Sequence, residues 1–148
     1  MSIPPVRKER TVQVPPETAF SVFTERIGEW WPLASHSLGG DEAVSAVIEP
    51  RLGGRVYERL ADGTEHDWGT VLVWDPPSRL VLSWHVGRDP AQSTEVEVRF
   101  DPAGEGACRV VLEHRNWERL GEEASTTRDG YDGGWETVLG RYTDLAGS

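Results

Sequence analysis

The sequence predicts an α+β domain in which an antiparallel sheet is closed over a cavity by a long C-terminal helix. Three observations carry this reading. Tyr131, Trp135, Val138, Leu139, Tyr142 and Leu145 recur at steps of three and four through the stretch Arg128–Ala146, the period of a helix with one wide apolar face. Between residues 44 and 114, short apolar and β-branched runs are separated by turns rich in Gly, Pro and Asp, the pattern of strands joined by hairpins. Seven tryptophans in 148 residues either fill a solid core or line a cavity wall.

Each element follows in order. Glu9–Val14 alternates polar and apolar residues as a half-buried strand does, and Pro15-Pro16 stops it. Pro16 suits the first turn of a helix, where its missing N–H costs nothing. Ala19, Phe20, Phe23 and Ile27 then recur at helical spacing, which places a short helix over about residues 16–26. Gly28 interrupts it, and Trp30-Trp31-Pro32 begins a second short turn, because a proline pushes the residue before it out of the helical region. Leu33–Asp41 reads as a loop carrying His36 between two serines. Strands follow at 44–49, 55–60, 66–74, 79–86, 93–101 and 108–114, with Gly69 marking a bulge or a close backbone approach. Consecutive strands joined by short turns pair antiparallel, and their one-sided apolar pattern leaves one face wet and the other for helices.

Composition narrows the function. A chain of 148 residues makes one domain over positions 1–148 with a single core. Lys+Arg 15 against Asp+Glu 25 leaves a net charge of −10, which repels phosphate backbones and acidic lipid alike, so neither nucleic acid nor membrane is expected as a partner. No stretch has the apolar length of a membrane span and the N-terminus has no apolar signal region, so a cytoplasmic location is expected. Cys108 is the single cysteine and excludes an internal disulfide or a cysteine zinc site. His36, His66, His85 and His114 form no i, i+4 pair, and no metal or cofactor is expected. No Gly-x-Ser-x-Gly elbow or phosphate-cradling glycine loop occurs, and no catalytic residue is assigned.

Several motifs in this order resemble the SRPBCC (START-like, helix-grip) superfamily. They are Val14-Pro-Pro-Glu-Thr-Ala-Phe20, Gly53-Gly54-Arg55, Trp68-Gly69-Thr-Val71, Asp75-Pro-Pro77 running on to Trp84, Glu113-His114 and Gly134-Trp135. Within that superfamily the chain is most similar to the branch named after the activator of heat-shock-protein-90 ATPase homologue. The resemblance spans nearly the whole chain and implies a helix-grip fold: a seven-stranded antiparallel sheet wrapped around the long C-terminal helix, with two short helices after the first strand. It implies an internal pocket without implying one substrate, since members include ligand carriers, polyketide cyclases and hormone receptors.

Strand parity nominates the wall. Leu80, Leu82 and Trp84 share one parity, as do Cys108, Val110, Leu112 and His114, so Trp84 and His114 are expected to point inward. If Val56 is inward then Glu58 is too, and a carboxyl facing an apolar interior needs a partner; His114 is one candidate. The alternative puts Tyr57 inward and Glu58 on the wet face. Trp31 and His36 either gate the pocket mouth or plug it. Gly130, Gly133 and Gly134 allow three readings: close approach of helix to sheet, a helix that starts only after them, or volume left for a ligand. The expected pocket residues are thus Trp31, His36, Glu58, Trp84, His114, Tyr131 and Trp135, and the expected partner is a hydrophobic or amphipathic small molecule. Acid/base catalysis of the polyketide-cyclase kind and a ligand-free co-chaperone role are the alternatives, with a monomer or homodimer equally open.

Overall fold

The computed structural model describes residues 3–33, 35–86 and 89–147. Strand β1 spans Val6–Val12, starting earlier and ending sooner than the alternation suggests. Val6 and Val12 are its two buried residues and the first and last to pair with the far strand, whereas Val14 lies beyond that ladder. Helix α1 (Pro16–Thr24) takes Pro16 in its first turn and buries Ala19, Phe20 and Phe23. Helix α2 (Ile27–Trp30) contains Gly28 instead of being broken by it. A Cβ at Gly28 would stand 2.9 Å from Ser45 Oγ and 3.1 Å from the Ala46 carbonyl oxygen. Glycine there lets α2 lie against an edge strand that would otherwise offer free hydrogen-bonding groups.

That edge is β2 (Ala43–Ile48), followed by β3 (Arg55–Leu60), β4 (Glu65–Asp75), β5 (Arg79–Trp84), β6 (Thr94–Pro102) and β7 (Cys108–Arg115). The seven strands form one antiparallel sheet in the order β1-β7-β6-β5-β4-β3-β2. Strand β5 ends two residues short of Val86 because Trp84–Thr94 is its last pair with β6. In β4 the pairing steps from Asp67 to Gly69 opposite consecutive residues of β3, so Trp68 is the extra residue of a bulge. A Cβ at Gly69 would fall 1.8 Å from the Ser83 carbonyl oxygen, so the bulge is also a point of close backbone approach.

Helix α3 (Ala124–Ala146) runs unbroken, beginning four residues before Arg128. Trp135, Val138, Leu139 and Tyr142 are buried along it as the periodicity predicts, but Leu145 is 36% exposed and Ala146 takes the buried place. Its first half is held to β1 by Lys8, whose ammonium lies 2.8 Å from Asp132 and 2.9 Å from Glu136, and by an Arg10–Glu136 pair. Lys8 and Arg10 share the inward parity of Val6 and Val12, and their long stems carry the charge out to the helix.

The glycines of α3 do not serve close packing on the sheet, nor does the helix wait for them to end. A Cβ at Gly130 or Gly133 would meet nothing within 4 Å, and one at Gly134 would meet only the His36 ring at 3.9 Å.

Candidate functional site

The inward faces of β3, β5 and β7 and the apolar stripe of α3 enclose one large aromatic cluster. Trp31 stands with ring centroids 5.0 Å from Trp68, 5.8 Å from Trp84 and 5.8 Å from Trp135. Beside this stack a cavity of about 220 Å³ opens between α3 and the 35–38 segment. Its walls are Trp31, Trp84, Val86, Tyr131, Trp135 and Val138, and its lip is Ser35, His36, Ser37 and Leu38. Leu38 is 47% exposed, so the mouth is itself apolar.

His114 stands behind the wall and organises it. The Trp135 indole N–H donates to His114 Nδ1 at 3.0 Å, which places the ring hydrogen on Nε2. Nε2–H then donates to Thr94 Oγ1 at 2.6 Å, and the Thr94 hydroxyl donates to the Trp84 carbonyl at 3.2 Å. The neutral imidazole thus satisfies every group in the chain. Complete burial pushes the His114 pKa down to about 3, since charging the ring would desolvate a cation and set N–H against N–H at Trp135.

Glu58, also fully buried, organises the lip. The backbone N–H groups of Leu38 and Gly39 donate to its two oxygens at 2.7 and 2.8 Å, and the Trp68 indole N–H donates at 2.7 Å. The bulge that makes Trp68 the extra residue of β4 brings its ring to the inner face. Through these bonds one carboxylate ties the lip backbone to the indole stack. Tyr57, on the opposite parity, is covered by the Arg55 and Arg59 guanidinium groups at 4.2 and 5.7 Å from its ring centre.

His36 sits on the lip with its Nδ1 2.6 Å from Ser35 Oγ, and its carbonyl accepts the Trp31 indole N–H at 2.8 Å. Burial pushes the Cys108 thiol up to about 11, which suits an inert core residue. Among the described residues no group of three or more His, Cys, Asp or Glu comes together in a way that could hold a metal ion, and no helix is long and apolar enough to cross a membrane.

A family model described as activator of Hsp90 ATPase homolog 1-like protein matches residues 13–146. The chain belongs to that family. Among solved structures, this activator-homolog domain is similar to the anthrahydroquino-γ-pyrone synthase Txn09 complexed with SUM, at 36% identity over 97% of each chain and a TM-score of 0.64. It is also similar to CalC, a self-sacrificing resistance protein from Micromonospora echinospora, at 34% identity over 97% of this chain and 94% of that one, with a TM-score of 0.72. An Hsp90 activator from Plasmodium falciparum shares the fold at 21% identity, over 77% of this chain and 74% of its own, with a TM-score of 0.57. No match is found among curated proteins.

Of the seven residues expected at the pocket of this activator-homolog domain, Trp31, His36, Trp84, Tyr131 and Trp135 line the cavity. Glu58 and His114 point inward but lie behind its surface, and they do not bond each other: Glu58 takes Leu38, Gly39 and Trp68, while His114 takes Thr94 and Trp135. Their burial required partners, and nearer donors and acceptors supplied them. The lining residues that sequence reasoning passes over are Ser35, Ser37, Leu38, Val86 and Val138. Val138 is within its reach, as it belongs to the helical stripe; the lip residues sit in a loop with no period to reveal them.

Proposed function

We propose that this chain binds a planar aromatic small molecule in the cavity between α3 and the 35–38 segment. The observation that carries the reading is the wall itself, in which Trp31, Trp84 and the α3 pair Tyr131 and Trp135 come from three separate places in the chain to border one space. Rings so arranged offer flat, polarisable surface to another ring. At about 220 Å³ the space falls below the ~300–1,000 Å³ of pockets that engulf a drug-sized ligand. It therefore suits two or three fused rings, with any remainder of a larger molecule leaving past Leu38. Txn09, 36% identical along almost the whole chain, is by name a synthase of a fused-ring aromatic compound, which supports a ligand of the same class.

The test has two parts. Native mass spectrometry of the freshly purified protein should show a retained aromatic ligand, or the empty protein should quench its tryptophan fluorescence saturably when titrated with 2-methylnaphthalene. Val86→Trp, which adds an indole to the cavity wall, should abolish that saturation. No retained ligand and no saturable quenching by any planar aromatic would overturn the reading.

One observation favours catalysis as a second reading: Txn09 is named as a synthase. Glu58 and His114 are committed to structural hydrogen bonds, which leaves His36 as the acid/base group at the cavity. Turnover of a phenolic polyketide substrate that is lost in His36→Leu, with binding retained, is the outcome this reading requires.

A further inference from the structure

The polar side-chain atoms around the cavity are committed to the protein, with one exception. The Trp31 indole N–H donates to the His36 carbonyl at 2.8 Å, that of Trp84 to the Tyr131 hydroxyl at 3.2 Å, and that of Trp135 to His114 Nδ1 at 3.0 Å. Ser37 Oγ donates to the Leu33 carbonyl and accepts the Gly40 N–H at 3.0 Å. Ser35 Oγ donates to the Pro32 carbonyl at 3.4 Å and lies 2.6 Å from His36 Nδ1. Val86, Leu38 and Val138 have no polar side-chain atoms. Among the described residues that line the cavity, His36 Nε2 is the side-chain polar atom left without a protein partner.

The surroundings define its character. The 2.6 Å bond between Ser35 Oγ and His36 Nδ1 accommodates either ring tautomer, so Nε2 presents a lone pair or an N–H, and a hydroxyl group can answer either one. On α3, a Cβ at Gly134 would touch Nε2 and Cδ2 at 3.9 Å. Because that position has no side chain, the nitrogen stays open on the side of the helix. The Trp31 bond to the His36 carbonyl and the Glu58 bonds to Leu38 and Gly39 hold the backbone on either side of the ring.

We propose that His36 Nε2 is the recognition point for a hydroxyl on the ligand, so that the cavity selects a phenol-bearing planar aromatic over the same ring system without a hydroxyl. This rests on the ligand-binding reading and adds to it the class of compound and the residue that chooses it. A single open polar atom at the lip gives orientation as well as selectivity, because the hydroxyl must sit at the lip and the rings behind it. Gly134 then fits the third of its sequence readings, as open volume opposite Nε2.

The experiment compares 2-naphthol with 2-methylnaphthalene, which share shape and differ in the donor, by equilibrium dialysis against the wild-type chain, His36→Leu and Gly134→Val. The wild type should prefer 2-naphthol by about 10-fold, equivalent to about 1.4 kcal/mol and near the upper end for one net hydrogen bond. In His36→Leu the preference should fall to about 1-fold, with a far-UV circular dichroism spectrum matching the wild type to show that the variant is folded. Gly134→Val, crowding Nε2 without removing it, should shrink the preference by the same mechanism. Equal wild-type affinity for the two probes, or a preference that survives His36→Leu, overturns the proposal while leaving ligand binding standing. Failure of both probes to bind the wild type overturns both.

Discussion

Around Tyr142, rings close on one another: Phe23 lies 5.3 Å from Tyr142, 5.1 Å from Trp30 and 5.8 Å from Phe100. Around Trp135, two turns earlier, the rings also touch, with Trp31 and Trp84 each 5.8 Å from Trp135, yet about 220 Å³ stays open beside them. Both regions sit under the same helix and on the same sheet. In the first, α1 covers the helix, and the Tyr142 hydroxyl donates to the Ala19 carbonyl at 2.8 Å, so helix and helix share the load of filling the interior. In the second no helix covers it; a loop does, and a loop fixed by hydrogen bonds to one carboxylate cannot fill volume as interdigitated side chains can. Aromatic content alone therefore does not make a core solid. What lies across from the rings decides.

The sharpest way to break this comparison is Phe23→Ala in the packed region. It should lower stability by about 3–5 kcal/mol, read from urea unfolding, and leave probe binding at the other end unchanged in the fraction that remains folded. A loss of binding without a loss of stability would mean the two regions are not separate. Acid should attack the open region in particular. The His114 pKa is depressed to about 3 in the fold against about 6.5 unfolded, so the unfolded chain binds the extra proton between those values. Stability is therefore complete above about pH 6.5 and declines as pH falls toward 3, by on the order of a few kcal/mol. The Trp135 indole N–H, followed by NMR, should shift or broaden in step with that decline.

Glu58→Gln sets an amide NH₂ against one of three converging N–H donors. A cost of about 1–3 kcal/mol is expected, with faster hydrogen exchange at the Leu38 and Gly39 amides, while exchange at the Tyr142 end stays as it was. The smallest effect has the opposite sign. Gly130→Ala and Gly133→Ala face open space and should each stabilise by about 1 kcal/mol, measured by thermal unfolding. If either instead destabilises, the first half of α3 has a contact that its geometry does not show.

Much of this architecture is legible in the amino-acid order alone. Pro16, the alternation of β6 and β7 and the spacing of Trp135, Val138, Leu139 and Tyr142 speak through local rules, because one buried face leaves a period in the sequence. Parity carries Trp84 and His114 to the inner face, while for Glu58 it leaves two alternatives, of which the buried one holds. It cannot say which inward residues reach the cavity surface, since that depends on depth, set by neighbours far away in the chain. Glu58 is hidden by a loop twenty residues earlier, and Trp68 reaches it only because a bulge resets the parity of β4. The lip, Ser35 to Leu38, has no period because loop positions answer to hydrogen bonds, not to a repeating face. Gly134 reads as a weakness of the helix until the His36 ring is found beside it.

The sheet order also dictates when the cavity can exist. Every ladder but one joins strands adjacent in sequence, and the exception pairs Val6 with His114 and Val12 with Cys108. The first strand thus waits for a partner made roughly a hundred residues later, and the helix that roofs the cavity follows that partner. Hairpins from β2 to β7 can form as the chain emerges, but β1 must stay unpaired until β7 exists, a long closure of the kind that slows folding. During synthesis, the inward faces of Trp84 and His114 stay uncovered until α3, Ala124–Ala146, is made. The cavity itself is complete only once α3 has been made.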